Sequence, residues 1–215
     1  RKDKLFKPVL IACLLKLLEG VAVSKRESAR TCSYERGHNA AAAETFAYIV
    51  DDSADISALA DLLREKEKAF GHPIYLIADE PYRELVYDGA EVPYIPSHYA
   101  DTVVCYSFSK SLSLPGERIG YVFVPSCAAD AGAVFDAVCG AGRALGFVCA
   151  PSLFQRVIAA CIGQTADISV YDRNRRRLYA ALCDMGFTVV PPRGAFYLFV
   201  KAPGGDAYEL YERGK

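Results

Sequence analysis

Three short apolar runs most constrain how this chain can fold: Ile74–Ala78, Thr102–Tyr106 and Gly120–Val124. Each has the length and residue types of a strand, and each is too short to present a helical face. Apolar continuity, in place of alternation, suits strands covered on both faces. Helical patterns surround them. Asp52 or Ser53 can cap a helix that runs through Ile56, Leu59, Leu62 and Leu63 to Phe70, where Gly71-His72-Pro73 stops it. Further helical patterns cover about 128–144, 151–163 and 166–185, and two short strands follow, Thr188–Val190 and Ala195–Val200. Strands alternating with helices predict an α/β fold, a mostly parallel sheet with flanking helices. The pattern changes near residue 165. Residues 51–165 therefore read as a partial large domain and 166–215 as the start of a smaller α+β C-terminal domain. Residues 1–50 form a divergent N-terminal segment without a clear period.

Composition excludes several function classes. Lys+Arg 25 against Asp+Glu 26 leaves a net charge of -1, so no bulk positive field exists to hold nucleic acid or an anionic membrane. Hydrophobic residues at 52% supply a sizeable core. The eight cysteines form no C-x-x-C pair and stand at no metal-ligand spacing from the three histidines. Several lie in apolar runs, which predicts reduced, buried thiols in a cytoplasmic protein. At the N-terminus, basic Arg1–Lys7 precedes apolar Pro8–Leu15, an outline like that of a signal peptide. Lys16 and Glu19 cut the run far short of the ~20 residues a membrane span needs. An amphipathic helix over Leu10–Glu19, stopped by Gly20, is the expected form. The chain starts at Arg, so its true beginning is expected upstream.

Two polar clusters stand at the ends of the first two runs, where ligands of open α/β sheets gather. The first is Asp79-Glu80-Pro81-Tyr82. The second is Ser107-Phe108-Ser109-Lys110, with Arg118 eight residues further on in Gly116-Glu117-Arg118-Ile119-Gly120. Taken singly, Lys110 reads as a solvated loop residue and Asp79 as a turn. Together they concentrate an acid, a phenol, hydroxyls, an amine and a guanidinium at one edge.

The order D-x-x-Y, S-x-S-K, G-x-R-x-G resembles class I/II aminotransferases, fold-type I enzymes that use pyridoxal 5'-phosphate (PLP). Pro192-Arg193-Gly194-Ala195-Phe196-Tyr197 is similar to a small-domain turn of that family. The resemblance covers roughly Ile56 to Lys215 and leaves out the first fifty residues. It implies transfer of an amino group between an amino acid and a 2-oxo acid through a Lys110 Schiff base, with Lys110 as base and acid. It implies that Asp79 pairs with the cofactor's pyridine nitrogen. Tyr82 would donate to its phenolic oxygen, and Ser107, Ser109 and Arg118 would hold its phosphate. A homodimer is implied for the full-length family. A PLP-dependent C–S β-lyase would use the same lysine, and a non-catalytic fragment would keep the motifs without the reaction.

The chain also departs from the family. An Asn-Pro motif belongs shortly before the Ile56 helix, and Glu44-Thr45-Phe46-Ala47-Tyr48 stands there instead. The upstream phosphate turn does not appear before residue 50, and the carboxylate-gripping arginine lies beyond Lys215. The chain therefore reads as the middle of a longer enzyme, with weak or no activity expected. Other features read as structural. Gly140-Ala141-Gly142-Arg143-Ala144-Leu145-Gly146 lacks phosphate-loop spacing and suits close helix packing. Arg173, Arg175, Arg176 and Arg177 read as an exposed helix face. Tyr87 and Tyr94 read as half-buried packing.

Overall fold

The computed structural model describes residues 53–215. The expectations for Leu10–Glu19, Glu44–Tyr48, Asp52, Cys13 and Cys32 lie outside the described residues. Helix α1 (Ser53–Phe70) forms on the predicted spacing. Its Ile56, Ala60 and Leu63 are buried, and Leu63 retains 1% exposure. Ala60 and Leu63 pack with Ile74, Leu76 and Tyr99, and Leu59 and Ile95 lie against that cluster. Gly71 ends the helix at φ 71, with its N–H donating to Glu67 O at 2.8 Å. That left-handed position after the last turn is the usual way a helix stops at glycine.

Strands β1 (Leu76–Asp79) and β2 (Thr102–Ser107) pair in parallel, from Leu76 opposite Thr102 to Asp79 opposite Cys105. Parallel pairing brings both C-terminal ends to one edge. Strand β3 (Gly120–Phe123) then runs antiparallel to β2, with Ser107 opposite Gly120. Among the described residues these three strands form a mixed sheet in the order β1-β2-β3, with one parallel and one antiparallel pair. The reason is the connection. Residues 108–119 hold one helical turn, α2 (Phe108–Ser111), and no packed crossover helix of the kind that returns a strand in parallel.

Burial is also less even than continuous apolar runs suggest. Thr102, Val103 and Val104 of β2 are buried, whereas β1 alternates and all four residues of β3 are exposed. Helices α3 (Ala131–Ala144) and α5 (Ile168–Asp184) bury none of their residues, and α4 (Ser152–Cys161) buries Ile158. Gly132 and Gly140 face open space, and a Cβ on Gly142 would meet Phe147 O of the following turn at 3.1 Å, so among the described residues the close approach in α3 is to its own C-terminal turn and not to another helix. The burial expected of the cysteines fails for the same reason, while their reduced state agrees with the expectation. Cys127, Cys139, Cys149 and Cys183 are exposed, Cys105 and Cys161 intermediate, and all six are free thiols. Among the described residues, no helix is long and apolar enough to cross a membrane.

The C-terminal third carries a two-stranded antiparallel sheet, β4 (Thr188–Val190) with β5 (Phe199–Lys201). Strand β5 is shorter than predicted. Ala195 takes φ 57, which turns the chain out of extended geometry before Phe199. A closing helix, α6 (Ala207–Arg213), escaped the sequence reading, and Asp206 caps it by accepting from Tyr208 N and Glu209 N.

This third docks against residues 85–88. Ala195 N donates to Leu85 O at 2.8 Å, Tyr87 N to Arg193 O at 2.9 Å, and the buried Tyr87 hydroxyl to Ala195 O at 2.5 Å. The basic run of α5 is part of this joint rather than a wholly exposed face. Arg175, its side chain 11% exposed, pairs with Asp88 at 2.8 Å and Asp172 at 2.6 Å. It also donates to Pro192 O at 2.7 Å and stacks over the Tyr87 ring at 4.6 Å. The hydrogen bond from Arg175 is the main cause that holds the Asp88 carboxyl below the ordinary carboxylate range. A lowered acid pKa adds stability above the unfolded value, and that stability is lost as pH falls through the folded value. Arg175→Met should therefore lower the melting temperature by a few degrees at pH 7. The gap to the parent chain should narrow as pH falls below the ordinary Asp range of about 3.9. Thermal unfolding followed between pH 7 and 3.5 checks this, and a gap that widens toward acid would contradict it.

Candidate active site

The site grows from the shared end of β1 and β2. Asp79 is the last residue of β1, exposed, directly across from Cys105. The Asp79 charge and burial together raise the Cys105 thiol pKa, burial being the larger cause. The chain then turns through 80–84, and Tyr82 faces back toward the strand ends. Across the pair, Ser107 ends β2 and caps α2: its Oγ accepts from Ser109 N at 3.1 Å and lies 2.6 Å from Ser109 Oγ. Lys110 follows in α2. Its Nζ stands 5.6 Å from the centre of the Tyr82 ring and 5.1 Å from that of Phe196.

The Tyr82 hydroxyl is 2.7 Å from that of Tyr197, and the ring meets Phe196 edge-on at 5.2 Å. Burial first, then the Tyr197 hydroxyl and the Asp79 charge, push the Tyr82 phenol far above its ordinary pKa. It stays protonated and able to donate throughout the physiological range.

A buried clamp holds the Lys110 turn from below. The Tyr106 hydroxyl lies 2.8 Å from both Glu84 Oε1 and Ser111 Oγ. A carboxylate oxygen only accepts, so Tyr106 donates to Glu84 and the Ser111 hydroxyl donates to Tyr106. This ties the residue after Lys110 to the loop that bears Tyr82.

The structure thus joins Lys110 to Tyr82, and Ser107 to Ser109. Asp79 reaches Tyr82 through its charge. Arg118 stands apart from direct contact with them. It is exposed, at φ 52, and donates to Pro115 O in its own turn at 3.0 Å. The turn itself returns to the site, since Phe108 N donates to Ile119 O at 3.1 Å and Gly120 pairs with Ser107. Sequence reading missed Phe196 and Tyr197 as site residues, although it picked out their segment, because nothing local says where that turn lands. Tyr87, expected as half-buried packing, is fully buried, and Tyr94, expected the same, is exposed.

An α/β edge that gathers a lysine, an acid, a protonated phenol and paired hydroxyls has the groups that covalent work on a carbonyl or amine calls for. The comparisons agree with that class. Residues 50–213 match the family described as aminotransferase class I and II, and the chain belongs to this family. Aspartate aminotransferase of Pyrococcus abyssi is 26% identical over 164 residues, 71% of this chain and 40% of that protein. Probable N-acetyl-LL-diaminopimelate aminotransferase of Bacillus subtilis is 30% identical over 147 residues, 65% of this chain and 36% of that one. Among solved structures, an amino transferase from Eubacterium rectale has a TM-score of 0.69 at 58% identity, covering 70% of this chain and 38% of that chain. Aspartate aminotransferase from Thermotoga maritima has a TM-score of 0.59 at 26% identity, covering 77% and 42%. The chain spans about two fifths of the length of these relatives.

Enzymes of this class depend on PLP, and the donor set fits that group. PLP has an aldehyde, a pyridine nitrogen, a phenolic oxygen and a phosphate. The site has an amine, a carboxylate without a hydrogen bond among the described residues, a phenol held protonated, and two hydroxyls beside an arginine-bearing turn.

Proposed function

We propose that this chain carries the cofactor-anchoring part of a PLP-dependent aminotransferase, acting on an amino acid and a 2-oxo acid, with Lys110 as its reactive amine. The observation that carries the reading is the Lys110 amine packed on the Tyr82 ring at the shared end of β1 and β2, where Asp79 also ends its strand. When bound, PLP supplies an aldehyde carbon for attachment to an amine and a ring that accepts electrons. Lys110 Nζ would be the attachment point, and once the substrate amine has displaced it the freed amine would take the proton from the substrate Cα and deliver it to the cofactor. Asp79 would hold the proton on the ring nitrogen. Tyr82 donates to the phenolic oxygen. Ser107 and Ser109 would offer hydroxyls to the phosphate, and Arg118 would give it a charge-assisted bond. Residues 51–165 act as the large-domain part and 166–215 as the start of the small domain. The protein would work in the cytoplasm, as a homodimer when its partners in sequence are present, without nucleic acid or membrane.

The test is the place of attachment. The 215-residue chain, mixed with PLP and then reduced with borohydride, should carry the phosphopyridoxyl group on Lys110 when its peptides are analysed by mass spectrometry. Label confined to other lysines would overturn the assignment.

A further inference from the structure

The turn that covers Lys110 comes from far along the chain and is held in place from behind. Ala195 N, Ala195 O and Arg193 O all bond to residues 85–87, and Gly194 bridges to Val86. Ala195 keeps a left-handed φ of 57, an unfavourable conformation for a residue with a Cβ. That conformation directs the next two residues, Phe196 and Tyr197, toward the strand ends instead of along β5. Both side chains are aromatic and both remain over 40% exposed. Core packing therefore does not account for them. Phe196 lies against the Lys110 amine, against the Tyr82 ring, and in a stack with Tyr171 at 5.8 Å. Tyr197 shares a hydrogen bond with Tyr82.

We propose that Phe196 and Tyr197 are positioning residues of this site: Phe196 caps the Lys110 amine, and Tyr197 pins the Tyr82 hydroxyl. The cap and the pin are parts of one turn, so they reach the site together. An amine held between two rings must leave them to react, which gives up a cation–π contact. A contact of that kind at an exposed site is worth about threefold to fivefold in reactivity. Tyr197 acts on the amine through Tyr82, whose ring forms the other half of the cradle. The assignment rests on Lys110 being the reactive amine of the proposed function, yet its test needs no cofactor.

The full chain is pulsed with acetic anhydride, and acetylation is read at Lys110, Lys68 and Lys201 by peptide mass spectrometry. Phe196→Ala should speed acetylation of Lys110 about threefold to fivefold, with the exposed Lys68 and Lys201 unchanged. Phe196→Tyr, which keeps the ring face, should restore the parent rate. Tyr197→Phe should speed Lys110 by a smaller factor, and that increment should vanish in a Tyr82→Phe background. An unchanged Lys110 rate in Phe196→Ala would overturn the cap. All three lysines rising together would make the ring a structural residue and overturn it equally. A Tyr197→Phe effect that persists without the Tyr82 hydroxyl would overturn the pin. If PLP never labels Lys110 while these rates shift as expected, the functional reading fails and the cap stands.

Discussion

The 215-residue chain should bind PLP roughly a hundredfold more weakly than an aminotransferase of its relatives' length, and should turn over little or no amino acid. The argument starts from what the matched region contains. It reaches 40% of the Pyrococcus abyssi enzyme, and it holds the lysine, the acid, the phenol and the edge proposed to take the phosphate. The family resemblance assigns an asparagine to the cofactor ring, a second phosphate turn upstream and a carboxylate-gripping arginine downstream. Residues 24–50 do not spell the first two. A missing hydrogen-bonding partner costs about 1–3 kcal/mol, more when it is charged. Two such losses come to about a hundredfold at 1.4 kcal/mol per tenfold. A PLP titration followed by absorbance above 400 nm gives the affinity, and an amino-acid–2-oxo-acid assay gives turnover. Submicromolar binding with steady turnover would show that residues 1–52 supply those partners in another form.

What could be read from sequence was local. Helix α1 follows from the spacing of Ile56, Leu59, Leu62 and Leu63 and a stop at Gly71. The Asp79 and Lys110 ends follow from apolar runs that break into polar clusters. The direction of β3 was not legible, since it depends on how residues 108–119 pack and not on the residues of the strand. Phe196 and Tyr197 were not legible either. The Tyr82–Tyr197 bond spans 115 positions, and only the docking of the 193–195 backbone on residues 85–87 brings the two together. Arg175 teaches the same lesson. Its neighbours in sequence are solvated arginines, and its partner Asp88 lies in a turn that periodicity cannot connect to α5. The cysteines were misread because apolar neighbours in sequence imply burial only where a second layer covers them. Over α3, which bears Cys139, no such layer exists among the described residues.

Gly120 should be the least replaceable of the glycines whose surroundings the described residues define, for a reason the sequence only hinted at. The glycines on either side of Arg118 look equivalent, as residues that let the backbone turn closely. The structure separates them. A Cβ on Gly116 would meet nothing within 4 Å, whereas one on Gly120 would stand 2.2 Å from Tyr106 O and 3.1 Å from Ser107 Cα. Both obstacles are backbone atoms of β2, so no side-chain rotation can relieve the clash. Gly120→Ala must push β3 off Ser107 by an ångström or so and weaken the bond from Phe108 N to Ile119 O. Overpacking a tight contact costs about 1–3 kcal/mol, and a clash with backbone belongs at or above the upper end. For a chain of this size each kcal/mol moves the melting temperature by about 2–4 °C. Gly120→Ala should therefore lose at least about 6 °C or fail to fold. Gly116→Ala should stay within about 1–2 °C of the parent, the range of a surface change of about 0.5 kcal/mol or less. Because the displaced strand rests on the residue that caps the Lys110 turn, borohydride-fixed PLP on Lys110 should fall in any Gly120→Ala protein that does fold. Equal melting temperatures for the two variants would show that β3 does not press on Tyr106 and Ser107 as the structure has it.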